Sequence, residues 1–286
     1  MLPCRQLLLA VAIGLIPVLP VRAQRALPDD NLAYPVLITL KRGTGSGFFL
    51  NTAEAVFLVT AKHVFFDPDT QKLRDDQAEL TSYSKDPSDQ ENNVMLLNLD
   101  ALQVAGAIKG HSLHDIAVVK IGIISDKEEP PNNTQDSGKH TLSAIPGVIV
   151  SKMSKLGIVG VSLDHIKTFD QVLIGNDVIV FGYPTSLGLQ AKPQFDLHRP
   201  LLRKGIVAGQ NLQSRSIVLD CPVYWGNSGG PVIQVEATNP FQKSFSVIGV
   251  VGELVPFVDQ GHTFMTANNS GYSIATPMDF VLELVK

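Results

Sequence analysis

Cysteine is scarce in this sequence: 286 residues carry two, Cys4 and Cys221. Cys4 lies in an N-terminal leader described below, and a chain left with one thiol cannot close an internal disulfide. Stability must then come from packing, and Cys221, in an apolar strand, reads as a small buried hydrophobe. Charge is sparse as well, with 17% Asp, Glu, Lys and Arg and a formal net charge of −4. A weakly acidic chain without a basic run offers no electrostatic footprint for nucleic acid, so none is expected as a partner. Metal-ligand spacing is missing too. His111, His114, His140, His165, His198 and His262 show no paired pattern, and the acidic residues of 66–93 show no calcium-loop spacing. No metal or cofactor is expected.

What is present begins with a leader. Arg5 precedes the apolar run at 7–16, and Val21-Arg22-Ala23 supplies small residues for cleavage, so 1–23 reads as a secretory signal peptide. The run is short and broken by Pro17 and Pro20, which argues against a retained anchor. Cys4 stands ahead of it and is not placed to carry lipid. The mature protein is expected to be exported, periplasmic or secreted, with no stable membrane anchor. Its oligomeric state is open.

Along the chain, 24–32 is a lead-in and short β-rich runs follow at 34–40, 43–50 and 55–60. The last is unbroken, as a strand buried on both faces would be. Residues 66–93 are polar loops with one strand-like piece at 79–83, and further strands are expected at 94–99, 102–108 and 116–121. A polar, proline-containing break at 123–140 suggests a connection between two halves. The second half resumes at 148–150 and continues through 177–182, 205–208, 216–219, 244–251 and 272–275, before a short helix within 277–285. Many short strands between Gly- and Pro-rich turns predict an all-β protein of two small barrels. The boundaries expected are 24–122, a connecting segment 123–147, and 148–286 with the helix.

Three places carry possible chemistry. Gly226-Asn227-Ser228-Gly229-Gly230-Pro231 sets a serine among glycines in a turn between strands. The glycines permit positive φ and close approach of a carbonyl, and the Gly226 and Ser228 N–H groups can converge beside the serine oxygen. Thr60-Ala61-Lys62-His63 puts a histidine at the end of a buried strand, at a barrel rim. Asp115 stands at the mouth of the apolar strand that follows it. Alone, each has an ordinary structural explanation. Together, in the order His, Asp, Ser, they match one of the three known chain orders of a nucleophile–base–acid triad.

On these motifs the sequence resembles the trypsin/chymotrypsin-like serine peptidases, most closely the exported bacterial Deg/HtrA protease domains and glutamyl endopeptidases. Gly45-Ser46-Gly47-Phe48, Phe181-Gly182-Tyr183-Pro184 and Gly271-Tyr272-Ser273-Ile274-Ala275 also resemble strands of that branch, so the likeness spans about 35–285. It implies a chymotrypsin-like double β-barrel, each barrel of six strands, with the active site between them and a polypeptide substrate. It implies catalytic His63, Asp115 and Ser228, with an oxyanion hole at Gly226 and Ser228. Pocket walls would run through Pro222, Val223 and Tyr224, and through Gly252, Glu253 and Leu254 with Ser273 nearby. No aspartate stands at the pocket base and Val251 precedes Gly252, so neither a basic nor a glutamyl preference is expected, but an apolar one. Asn227 replaces the aspartate that pairs with a new N-terminus in digestive members, so no such zymogen switch is expected. No PDZ domain is expected after 286. A catalytically silent peptide-binding protein, or an esterase for small substrates, is the alternative.

Overall fold

The computed structural model describes residues 27, 32–86, 91–126, 140–185, 187–239, 242–261 and 265–286. The leader read at 1–23, most of the lead-in and part of the expected connection lie outside these residues. The first half is built on an antiparallel meander of β1 (Pro35–Leu40), β2 (Gly43–Asn51) and β3 (Ala55–Thr60). Their Val, Ile and Phe side chains hold preferred rotamers on an extended backbone and pack well on a pleated surface. Successive side chains of β2 point to opposite faces, and both faces are covered. Phe49 joins an interior cluster with Ile38, Leu58 and Val119, while Phe48 and Leu50 join a second cluster with Val59, Phe181 and Ile233. That is why β2 and β3 lack the polar alternation of a half-exposed strand.

Around the meander lie β4 (Gln77–Tyr83), β5 (Asn92–Asn98), β6 (Ile108–Gly110), β7 (Ala117–Asp126), β8 (His140–Ala144), β9 (Val148–Lys152) and β10 (Gly160–Ser162). The ten strands form one sheet in the order β6-β7-β3-β2-β1-β4-β5-β9, with β8 on β7 and β10 on β2. The second half is a closed barrel of β11 (Asp177–Gly182), β12 (Leu201–Asn211), β13 (Ser216–Asp220), β14 (Pro231–Asn239), β15 (Gln242–Gln260) and β16 (Met265–Pro277). Its order is β11-β12-β13-β16-β15-β14, and Val178, Val180, Val207, Leu219, Val232 and Ile248 fill it. Among the described residues four short α-helices accompany the strands: α1 (Lys62–Phe65), α2 (Leu99–Val104), α3 (Leu187–Gln190) and α4 (Asp279–Leu284). Among the described residues no helix is long and apolar enough to cross a membrane.

The cluster around Phe48 and Leu50 contains residues of both halves, including Val118 of β7, Ile233 of β14 and Phe280 of α4. This apolar seam fixes the two halves against each other, and the cleft described below opens at its edge. The mainly-β architecture, its closed second barrel and its C-terminal helix agree with the expected fold class. Three details differ. The expected strand at 102–108 is mostly α2, capped by Asn98, whose side chain accepts the Ala101 N–H at 2.9 Å. Leu99 and Leu102 are buried three positions apart, a helical spacing, while Val104 is exposed.

Residues 148–150, placed by sequence at the start of the second barrel, form β9 and pair with β5 in the first sheet. Val148 is buried in the first interior cluster, and β11 is the first strand of the closed barrel. A short apolar strand does not encode which open edge it joins, and here the nearest ladders belonged to the preceding sheet. For the same reason the first sheet has ten strands rather than the six expected.

Candidate active site

β3 and β7 pair antiparallel with Thr60 opposite Ala117. His63 comes three residues beyond Thr60, in α1, and Asp115 two residues before Ala117, so the ladder delivers both to the same end. Asp115 Oδ1 accepts the His63 backbone N–H at 2.9 Å, and its Oδ2 lies 2.7 Å from His63 Nδ1. One carboxylate thus orients both ring and backbone. An ionised carboxylate only accepts, so the proton of the neutral imidazole sits on Nδ1 and Nε2 keeps its lone pair. Both side chains are 37% exposed, a rim position rather than a core one.

The loop before β7 is braced from a distance. His111 Nδ1 accepts the Leu113 and His114 N–H groups at 3.1 and 3.0 Å, and its Nε2 lies 3.2 Å from Glu283 Oε2 on α4. His114 stacks on Phe280 with ring centroids 3.5 Å apart. Burial lowers the pKa of His114, and the neighbouring His111 lowers it further against the pull of Glu283. Nothing in the local sequence announces these contacts, because the partners on α4 are far along the chain. Arg74 is a second residue that sequence reasoning missed: its Nη1 donates to the His63 carbonyl at 2.9 Å, from a stretch read only as surface loop.

Ser228 comes from the other half, in the turn between β13 and β14. Gly226 and Gly229 have φ of +91° and +89°. A Cβ at Gly229 would lie 2.0 Å from Ser46 O and 2.1 Å from Thr60 Oγ1, so only glycine lets the first sheet reach the turn. Ser46, noted in the sequence only within a strand, is the clamp at that meeting. It is fully buried, its Oγ donates to Gly226 O at 2.6 Å and accepts the Tyr183 N–H at 3.0 Å. Its own N–H donates to Ser228 O at 2.8 Å.

Within the turn, the Asn227, Gly229 and Gly230 N–H groups donate to Tyr224 O, Val251 O and Asn227 O. Among the described residues the N–H groups of Gly226 and Ser228 have no acceptor. Trp225 O accepts the Thr185 N–H at 2.8 Å, and in a trans peptide the Gly226 N–H must point the opposite way. These are the two donors expected from the sequence. Asn227 is buried, and its Oδ1 closes its own turn by accepting the Tyr224 N–H at 3.0 Å.

His63, Ser228, Gly226 and Trp225 line one cleft of about 270 Å³. The Ser228 hydroxyl donates to Gly252 O at 3.2 Å, and among the described residues no hydrogen bond joins it to His63. Of the expected pocket residues, Val223 and Ser273 are buried, Gly252 is buried, and Glu253 and Tyr224 are exposed. Ser273 Oγ donates to Cys221 O at 2.8 Å, and Asn269 Nδ2 to Val223 O at 2.7 Å, which ties β16 to the Pro222–Val223–Tyr224 wall. Leu254 is partly buried against the barrel core. Asn269 was not foreseen, since a partly buried hairpin asparagine carries no signal of its own. Burial pushes the Cys221 thiol up to about 11, which makes it unreactive. Among the described residues no three His, Cys, Asp or Glu side chains cluster as metal ligands.

Residues 45–238, more than half of the chain, match the family described as the trypsin-like peptidase domain. The chain belongs to this family. The trypsin-like domain spans both halves of the cleft, from Gly45 beside the Ser46 clamp to the strand after Ser228. Among solved structures, the HtrA-type protease AlgW is 15% identical with a TM-score of 0.48, over 88% of this chain and 58% of its own. The serine endoprotease from Yersinia pestis is also 15% identical, with a TM-score of 0.48 over 92% and 66%. Deg5 is 18% identical, with a TM-score of 0.48 over 89% and 88%. The chain thus spans less than two thirds of the first two of these proteins. No curated protein matches it by sequence.

Proposed function

We propose that this trypsin-like domain is an exported serine endopeptidase in which Ser228 is the nucleophile, His63 the general base and Asp115 the group that orients it. The observation that carries the reading is the double engagement of Asp115 on His63, beside a cleft shared with Ser228 and two unengaged N–H groups. His63 Nε2 takes the proton as Ser228 Oγ bonds to the scissile carbonyl carbon, and the C=O electron pair moves onto oxygen between the Gly226 and Ser228 N–H groups. Collapse breaks the C–N bond, and His63 returns its proton to the leaving amine. Water, deprotonated by the same Nε2, then hydrolyses the acyl-enzyme. The present Ser228–Gly252 hydrogen bond must be exchanged for one to His63, a tightening common when substrate enters.

Pro222 and Val223 on one wall and Leu254 on the other favour an apolar residue before the cut. The leader at 1–23 supports export, and sequencing the N-terminus of the secreted or periplasmic protein tests it: a start at Gln24 agrees, a start at Met1 does not. The central test is labelling by a fluorophosphonate. Wild type should label, and Ser228→Ala and His63→Ala should not. A folded wild type that stays unlabelled would refute the triad.

A further inference from the structure

The expected pocket walls lie on the Gly252 side of Ser228. The 270 Å³ cleft contains none of those wall residues; beyond Ser228, His63 and Gly226 it is lined by Arg42, Thr44, Arg74, Asp75 and Trp225. With the acyl half of a substrate on the Gly252 side, this cleft receives the leaving half. It carries two guanidiniums against one carboxylate, Asp75, and that carboxylate is already engaged. Lys41, beside it, engages both nearby acids: its Nζ lies 3.6 Å from Asp75 Oδ1 and 2.5 Å from Asp76 Oδ1, and its N–H donates to Asp75 Oδ2 at 2.7 Å. The Lys41 hydrogen bond holds the Asp76 carboxyl below its ordinary range. Asp67, which feels Arg74, turns its Oδ1 onto Thr70 and the Asp69 N–H.

The Arg74 guanidinium donates only to the neutral His63 carbonyl, and the Arg42 side chain has no hydrogen bond or ion pair among the described residues. Among those residues no carboxylate lies within ion-pair distance of either guanidinium. Two guanidiniums without an ion pair among the described residues therefore line this cleft beside an Asp75 carboxylate held by Lys41, in a protein whose net charge is −4. Guanidinium is the side chain suited to fork-like, charge-assisted binding of a carboxylate.

We infer that Arg42 and Arg74 form a subsite for a carboxylate carried by the leaving half of the substrate, within the first two residues after the cut. This rests on the endopeptidase reading above. The carboxylate comes from an Asp or Glu side chain or from the C-terminus of a short leaving peptide. Arg42 sits in the turn between β1 and β2, exposed, so replacing it leaves the core untouched.

The test uses internally quenched peptides with one acyl-half sequence, amidated ends, and Ala, Asp, Glu or Lys at the first two positions after the cut. A further Ala peptide ends there with a free carboxylate. Acidic peptides should exceed Lys peptides about tenfold in kcat/KM at low salt. The ratio should shrink at high salt and reverse in Arg42→Glu. A gain only for the free C-terminus places the source there; a gain for Asp and Glu places it on side chains. Equal rates for all peptides, or a preference unmoved by Arg42→Glu, would overturn the subsite.

A separate arm reads binding without turnover. Trp225, the only tryptophan of the chain, is 77% exposed and lines this cleft, so its emission should shift to the blue when a peptide covers it. In Ser228→Ala the acidic peptides should bind more tightly than the Lys peptides. That ranking survives if wild type proves unable to cleave, and its absence sinks the subsite whether or not the enzyme cleaves.

Discussion

Removing the Ser46 hydroxyl tests whether the two halves assemble the site through this residue. In Ser46→Ala two buried backbone groups lose their partner: the Tyr183 N–H, bonded at 3.0 Å, and the Gly226 carbonyl, bonded at 2.6 Å. Each buried group left without a partner costs about 1–3 kcal/mol, so the pair amounts to about 2–6 kcal/mol. For a protein of this size each kcal/mol lowers Tm by about 2–4 °C, and the variant should melt about 4–24 °C lower. The same carbonyl belongs to the peptide that follows the Gly226 N–H, so this proposed oxyanion donor loses part of its support. An oxyanion donor is worth about 10²–10³ in kcat, and partial misplacement should reduce the fluorophosphonate labelling rate about tenfold or more. Differential scanning calorimetry and labelling kinetics measure the two effects. A Tm within about 2 °C of wild type and an unchanged labelling rate would show that Ser46 does not clamp the turn.

Asp115→Asn should fold normally but lose about 10⁴ in kcat, because an amide beside Nδ1 admits the wrong tautomer; kcat within tenfold of wild type would contradict the role of the 2.7 Å contact. Gly229→Ala should fail to give folded protein, since its Cβ would meet the Ser46 carbonyl at 2.0 Å at a φ of +89°; a soluble variant with wild-type Tm would refute that close approach. Cys221, with its thiol pushed up to about 11 by burial, should resist iodoacetamide at about pH 8 in the folded protein and react in denaturant, and mass spectrometry distinguishes the two.

His114 gives a pH dependence. Burial holds its folded pKa below the ordinary 6.5, with His111 and Arg215 lowering and Glu283 raising it, so the unfolded chain binds the extra proton. The stability owed to the neutral ring is fully present above 6.5 and is lost progressively as pH falls from there through the lowered folded pKa. His114→Phe should keep the stack on Phe280 and flatten the urea-stability profile below about pH 6.5; an unchanged slope would count against it.

Much of this molecule is written locally. Unbroken apolar runs such as 55–60 predict strands buried on both faces, and the structure places Leu58 and Val59 in two different cores. The glycines around Ser228 predict a tight turn with converging N–H groups, because positive φ and close backbone approach are properties of that hexapeptide alone. His63 and Asp115 stood out for a similar reason: His63 follows one apolar run and Asp115 precedes another. The 102–108 segment misled because two buried leucines suit either a strand or one helical turn, and the Asn98 cap settles it for α2.

What the sequence by itself determined, then, was the strand content, the turn chemistry and the types of group available for catalysis. The tertiary structure alone decided which sheet edge received β9, and that Ser46 would clamp the Gly226 carbonyl 180 residues away. It alone set His111 and His114 against α4, and left Arg42 and Arg74 facing the cleft without acidic partners among the described residues. The physical reason is range. Backbone preference and side-chain alternation act over a few residues and are visible in any short window. Hydrogen bonds, ion pairs and close backbone contacts act over about 3–4 Å in space, and the chain reveals those neighbours only when it has folded.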